Sequence, residues 1–347
     1  KRQSYNHAAF IGDAIDSVLG QTRPPERVLV VDDGSSDDSA LRIEAYRDRG
    51  VELVVQENAG AHAALNRAVG AVAADCALVG ILNSDDVYEP RRLERCADRL
   101  AERPDLDVVS SELRVIDAEG APCPAEDPGV RWMEMAWSIG DDGGLDLPAW
   151  LGNANFPATT SNIVARSAYL TAHPFRPYRY CHDYHLLAGA AVRGRLTVLG
   201  EPLLRYRRHG ANTMGVDPQP LVRELLRMQL DLYASLRDAL RDDADTRGRF
   251  ASFARASWDN FSSFDAGLFQ VALAEALAEL GADRVEELAG SLLSRDLAEL
   301  SRTPNAPLQK ADLAHRGAVP RSELLARNER MAAVVLEQVR YHSALLG

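Results

Sequence analysis

Two pairs of acids, Asp32–Asp33 and Asp85–Asp86, are the residues whose type and spacing could do chemistry. Each follows an apolar run, Val28 to Val31 in one case and Ala77 to Leu82 in the other. Ligands of open α/β sheets bind beyond the carboxyl ends of the strands, so acids in these places stand at the mouth of a site. Carboxylates crowded at one sheet edge repel each other, and a cation shared with a phosphate relieves that repulsion. Mg²⁺ or Mn²⁺ takes one or two carboxylates and fills its shell with phosphate oxygens and water. Alone, Asp32–Asp33 before Gly34-Ser35-Ser36 is explained by turn and N-cap chemistry. The second pair is what points to a shared site.

Composition removes several competing uses of these acids. The only lysines are Lys1 and Lys310. A receiver domain needs a lysine beside its acids, a Walker P-loop needs its GKS/T lysine, and a Schiff-base enzyme needs a buried one. A haloacid-dehalogenase-type phosphatase needs a nucleophilic aspartate where this chain has Asn83. The 347 residues carry 39 Lys plus Arg against 51 Asp plus Glu, a net charge of -12, which argues against nucleic acid and against a polybasic membrane surface. Cys76, Cys96, Cys123 and Cys181 show no CxxC or zinc spacing and read as reduced and structural. No apolar run approaches the roughly 20 residues of a membrane span, and no signal peptide is visible at the start. The expected location is cytoplasmic, with peripheral attachment to the inner face of the membrane left open.

The elements that must position the acids follow from periodicity. Strands are expected at Val28–Val31, Leu53–Val55, Ala77–Leu82, Asp107–Asp117, Asn162–Ala165, Leu196–Leu199 and Leu203–Tyr206. Helices are expected at Ala40–Arg49, Ala63–Val72, from Pro90 to about Glu102, and Asp183–Val192. This alternation predicts an α/β fold with a mostly parallel, doubly wound central sheet flanked by helices. Gly120 to Gly144, rich in Gly, Pro and Asp around Trp132 and Trp137, reads as a long loop or lid. Composition shifts near Asp217–Pro218, and helical spacing then runs through Leu221, Leu225, Leu226, Met228, Leu232 and Leu236, with further stretches at Phe269–Leu280 and Ser322–Leu346. The expected division is residues 1–216 and an all-helical extension, 217–347, a candidate for homodimer formation.

Along residues 4 to 212 the motifs, in their order and spacing, resemble family 2 glycosyltransferases of the GT-A fold. Those motifs are Ser4-Tyr5-Asn6, Ile15-Asp16-Ser17-Val18-Leu19-Gly20-Gln21-Thr22, Val30-Val31-Asp32-Asp33-Gly34-Ser35, Asn58-Ala59-Gly60 and Ala64-Leu65-Asn66. They continue with Leu82-Asn83-Ser84-Asp85-Asp86, similar to the family's Asp-X-Asp segment, and His182-Asp183-Tyr184, similar to its Glu-Asp segment. Leu203-Leu204-Arg205-Tyr206-Arg207-Arg208-His209 resembles its closing Tyr-Arg-X-His segment.

The resemblance implies a nucleotide site of Ser4, Tyr5, Asp32, Asp33, His62 and Asp85, in which Asp33 reads the base and Tyr5 flanks it. It implies a cation, Mg²⁺ or Mn²⁺, on Asp85, Asp86 and His209, neutralising the diphosphate leaving group. Asp183 becomes the general base of an inverting transfer. Thr160, Ser161, Asn162 and His182 are expected to hold donor sugar or acceptor, and Arg207 a phosphate. Asn66 is expected to tie helix to sheet. The implied partners are a nucleotide-diphosphate sugar, UDP favoured, and a glycan or lipid-linked acceptor, with no nucleic acid. Three departures stand out: Asn83 replaces the first acid of Asp-X-Asp, His182 replaces the usual Glu, and only Lys1-Arg2-Gln3 precede Ser4, where the family has an apolar strand. The first two keep open a non-catalytic, nucleotide-sugar-binding scaffold; a sugar nucleotidyltransferase is a further alternative, though it would want a glycine-rich loop with a basic residue.

Overall fold

The computed structural model describes residues 7–143, 146–210 and 219–261. The chain divides into two compact units, Lys1–Trp137 with Asn155–Gly215 and Ser138–Ala154 with Val216–Gly347. Ser138–Ala154 therefore groups with the C-terminal unit rather than with its neighbours in sequence.

The elements in chain order are α1 (Ile11–Leu19), β1 (Val28–Asp32), α2 (Ser39–Glu44), β2 (Val51–Val55), α3 (Ala61–Val72), β3 (Leu78–Gly80), β4 (Val87–Tyr88), α4 (Arg92–Glu102) and β5 (Val108–Ile116). They continue with α5 (Pro128–Gly143), α6 (Leu147–Asn153), β6 (Val164–Arg166), α7 (Ser167–Ala172), α8 (His182–Val192), β7 (Leu196–Arg207), α9 (Gln219–Asp242) and α10 (Ala244–Phe261). The strands form two sheets, a β1–β2 pair and a five-stranded sheet in the order β3-β6-β5-β7-β4. Pairing is mixed rather than mostly parallel. β1 runs parallel to β2 and β5 to β7, whereas β6 is antiparallel to β3 and β5, and β4 to β7. The two short strands expected near residues 196 and 206 are one strand, β7, whose pairing with β5 is interrupted by register shifts around Glu112.

The expectation of acid pairs at neighbouring strand ends needs amending, because β1 and β3 are not paired. Between them lies a cavity of about 440 Å³, lined by Val28 to Val31 on one side and Leu78 to Leu82 on the other. The β-branched edge of β1 thus faces an apolar space.

Periodic burial fixes the helices. α1 and α2 bring Ile11, Ile15 and Ile43 together on Val51 of β2. α4 lays Cys96 and Leu100 on Val109, Val164 and Leu199 of the central sheet. α8 is buried on nearly every side, from Tyr184 to Val192, as a helix apolar around its circumference must be. The four cysteines are all free thiols.

The expected lid is instead largely helix. Asp127 caps α5, its Oδ1 accepting from the Gly129 N–H (2.7 Å) and the Val130 N–H (3.3 Å), and Pro128 takes the first turn. Trp137 packs edge-on against Phe156 (5.3 Å between ring centroids), while Trp132 stays exposed. In the second unit, α6 packs on α10, where the Ser257 hydroxyl donates to the Gly152 carbonyl (3.0 Å). α9 buries Met228, Leu232 and Leu236 at helical spacing. The expected helices at 269–280 and 322–346 lie outside the described residues, as do Ser4 and Tyr5.

Candidate functional site

β7 and the loop after β3 meet at the carboxyl end of the parallel β5–β7 pair, and the two acids of that loop part company there. Asp86 turns inward. Its Oδ2 accepts from the Ser161 hydroxyl (2.6 Å) and the Thr159 hydroxyl (3.0 Å), and its Oδ1 from the Arg207 backbone N–H (2.9 Å). Burial and then the charge of Asp85 push its carboxyl up to about 7. With three donors on it and almost no surface, Asp86 is a structural bracket, and it stands outside the cluster formed by His7, Asp85 and His209. Asn83 shares that role: its side-chain amide donates to Thr159 Oγ1 (2.9 Å) and its backbone N–H to Ser161 Oγ (2.9 Å).

Asp85 turns the other way. Its Oδ2 lies 3.1 Å from His209 Nε2 and 3.9 Å from His7 Nδ1. Ligand atoms of His7, Asp85 and His209 all fall within 4.8 Å of one another. Two imidazoles and one carboxylate are a donor set that fits a divalent cation. The rings of His7 and His209 stand perpendicular, 5.4 Å apart, and Phe10 packs on both. The expected pair Asp85 and His209 is thus brought together, and His7 joins it. Sequence reasoning missed His7, whose one mark was its place directly after Tyr5-Asn6.

Arg207 holds this corner up from behind. It is 1% exposed. Its Nε donates to the Asp85 carbonyl (2.8 Å), Nη1 to the Ala118 carbonyl (2.8 Å) and Nη2 to Asp13 Oδ2 (2.9 Å), and the guanidinium lies over the Phe10 ring. Arg207, expected to meet a phosphate, is thus engaged by protein partners in the structure. Arg205 pairs with Glu89 at 3.3 Å, and Arg208 with Asp127.

The turn at Thr160–Asn162 divides likewise. Asn162 is buried, its Oδ1 accepting from the Ser111 N–H (2.9 Å) and from Arg92 Nη2 (3.1 Å). Ser161 serves Asp86. Both residues, expected to hold a sugar, are engaged by protein partners in the structure. Thr160 differs, its hydroxyl 3.0 Å from His182 Nε2.

Asp183 lies in the first turn of α8, where the helix dipole favours an anion. It is buried, and that burial raises its carboxyl above the ordinary 3.8 against the lowering effects of His182 and of hydrogen bonds from the Tyr184 N–H and the Asn155 side chain. The Tyr206 phenol is pushed up by burial and then by the charges of Asp86, Asp85 and Asp183. From sequence, Tyr206 stood in the closing Tyr-Arg-X-His segment without a role of its own, and Asn155 was not singled out.

The first acid pair shapes a loop. Asp32 Oδ1 accepts from the Ser35 N–H (2.7 Å). Asp33 Oδ1 accepts from Gln56 Nε2 (2.8 Å) and the Ala59 N–H (2.9 Å), and its Oδ2 from the Gly60 N–H (2.9 Å). Asp33 thus binds the 56–60 loop to β1, and its oxygens already have three protein donors. His62, in the first turn of α3, is held below 6.5 by burial and then by His182. Asn66 ties α3 to Phe175, donating to its carbonyl and accepting from its N–H, both at 2.9 Å.

Residues 3–137 match the family described as Glycosyl transferase family 2. An uncharacterized glycosyltransferase of Nostoc sp. is 30% identical over 218 residues, covering 60% of this chain and 64% of that protein. The chain thus spans less than two thirds of that curated relative's length. Among solved structures, S. aureus TarS 1-349 in complex with UDP is similar with a TM-score of 0.55 at 17% identity, covering 98% of this chain and 90% of that one. The mannosyltransferase PcManGT from Pyrobaculum calidifontis, in complex with GDP-Man and Mn²⁺, is similar with a TM-score of 0.51 at 16% identity, covering 98% and 84%. At such identities the likeness shows the fold, which is GT-A.

Proposed function

Because the chain carries a family 2 glycosyltransferase domain on a GT-A fold, we propose that it transfers a sugar from a nucleotide-diphosphate donor to a hydroxyl acceptor with inversion. The observation that carries this reading is the cluster of His7, Asp85 and His209, whose ligand atoms lie within 4.8 Å of one another, together with the buried Asp183 in the first turn of α8. A base for the acceptor and an anchor for the leaving group must face the same reacting carbon from two sides. Asp183 removes the proton of the attacking hydroxyl. A buried carboxylate with a raised pKa is a stronger base than a solvated aspartate. His182 and Thr160 orient the acceptor or donor sugar beside it. Asp85 and His209 hold a divalent cation, Mg²⁺ or Mn²⁺, which supplies charge neutralisation at the departing diphosphate. Asp86, Asn83, Ser161 and Arg207 keep Asp85 in place.

The favoured donor is a UDP-sugar, supported by the UDP in the TarS neighbour, with the GDP-Man of PcManGT marking the alternative to be tested. The acceptor class is a glycan or lipid-linked hydroxyl. The experiment is turnover of UDP-, GDP- and dTDP-sugars with and without Mn²⁺, in wild type and Asp183→Asn. The expected result is metal-dependent release of nucleotide diphosphate by wild type alone, while the variant still binds nucleotide. Wild type that binds nucleotide and turns over none of the donors would leave a nucleotide-sugar-binding scaffold as the better reading.

A further inference from the structure

We propose that His7 is a third protein ligand of the cation, making the site a two-histidine, one-carboxylate set that prefers Mn²⁺ or another transition-metal ion to Mg²⁺. The inference rests on the proposed cation-assisted transfer and adds a ligand and a metal preference to it. Three separate parts of the chain meet here: the turn before α1 supplies His7, the loop after β3 supplies Asp85, and the residues after β7 supply His209. Asp85 Oδ2 is the common point, 3.1 Å from His209 and 3.9 Å from His7. Two donors each about 2.1 Å from an ion and at right angles lie about 3 Å apart. The Asp85–His209 pair already has that spacing, and His7 needs to close by about 1 Å on the same scale.

The His7 ring is also fixed before any ion arrives. Its backbone N–H donates to Ser39 Oγ (3.2 Å), its Nδ1 lies 2.8 Å from Ser84 Oγ, and Phe10 packs against it. Nδ1 is also the nitrogen 3.9 Å from Asp85 Oδ2, so an ion would take the place of the Ser84 contact, which meanwhile holds His7 against the loop that carries the carboxylate. A surface histidine near an acid by chance would be exposed, and His7 is 5% exposed.

The metal preference follows from donor type. Mg²⁺ demands oxygen donors and gives up water reluctantly, whereas imidazole suits the first-row transition metals. With one histidine the set is mostly oxygen once phosphate and water join. With two, nitrogen supplies a third of a six-coordinate shell, and Mg²⁺ loses ground.

The test is Mn²⁺ binding to the whole protein in the presence of UDP, followed by titration calorimetry and by pulsed electron paramagnetic resonance, which counts nitrogens bound to the ion. The expected results are two bound nitrogens in wild type, a Kd for Mn²⁺ raised at least tenfold in His7→Ala, and a smaller Mn²⁺-over-Mg²⁺ preference in that variant. One bound nitrogen in wild type overturns the proposal, and so does a His7→Ala Kd within twofold of wild type. Asp85→Ala separates the two levels of the argument. If it abolishes Mn²⁺ binding while His7→Ala does not, the cation site stands and His7 is no part of it. If neither variant alters Mn²⁺ binding, both the cation site and the third ligand fail. The nitrogen count is read on wild type, so it decides even where His7→Ala folds poorly.

Discussion

Asp183 is asked to be charged in a place that resists charge, and this has two consequences of opposite sign. Its folded pKa is raised above 3.8 by burial. Between 3.8 and the raised value the folded protein holds more protons than the unfolded chain, so stability falls as pH rises. The contribution is full below 3.8 and is lost as pH climbs through the folded value. The proposed transfer needs the ionised form of Asp183, so kcat/KM should rise through the same window in which stability declines. Asp183→Asn should flatten that part of the stability profile, read by thermal melts across pH in chelator, and should lower kcat by about 10²–10⁴. A variant that keeps the wild-type pH slope would sink the assignment. Arg207 is the opposite case, a buried charge whose value is structural. Arg207→Ala should cost about 3 kcal/mol in denaturant unfolding, because the carbonyls of Asp85 and Ala118 and the carboxylate of Asp13 lose their charged donor.

At the scale of elements, the turn between β1 and α2 depends on backbone shape. Gly34 has φ +76°, and a Cβ there would stand 3.0 Å from the Gln56 carbonyl oxygen, where the turn meets the 56–60 loop. Gly70, on the exposed side of α3, has nothing within 4 Å of where a Cβ would lie. Gly34→Ala should therefore destabilise by about 1–2 kcal/mol, and Gly70→Ala should stabilise by about 0.5–1 kcal/mol through helix propensity. Equal effects in a denaturant melt would contradict the packing of the turn. The same scale shows what composition conceals. Residues 120–144 read as a lid because Gly, Pro and Asp abound, yet Asp127 before Pro128 is a helix start, and α5 follows it. Gly140 sits inside that helix because a Cβ there would lie 2.5 Å from the Trp150 ring. A glycine that breaks a helix in isolation is here the condition for packing it.

At the scale of the molecule, an excess of acid and a scarcity of lysine shape how an anion can bind. With a net charge of -12, the field of the whole protein opposes a nucleotide diphosphate, and the proposed cation would offset that repulsion. A chelator should therefore abolish the thermal stabilisation given by UDP or a UDP-sugar, while UDP with Mn²⁺ at about 100 times its Kd should add about 2.7 kcal/mol. A shift that survives chelation would mean direct phosphate contacts carry the binding.

The alternating strands and helices, the family, and the pairing of Asp85 with His209 were legible in sequence, because each is written in local order: periodicity, turn chemistry, motif spacing. What the sequence could not choose was direction. Asp85 and Asp86 are neighbours with one chemistry, and a turn closed by the Asp86 N–H on the Asn83 carbonyl sets which way each one faces. Only the packing of the Thr159–Asn162 turn and of β7 sent Asp86 inward and left Asp85 beside His209 and His7. Arg207 stands between two other arginines, and the fold alone decided which would be buried. His7 lies 78 residues from Asp85 and 202 from His209 in the chain. No local rule connects them, because the contact exists only once α1, the β3 loop and β7 have been brought to one corner.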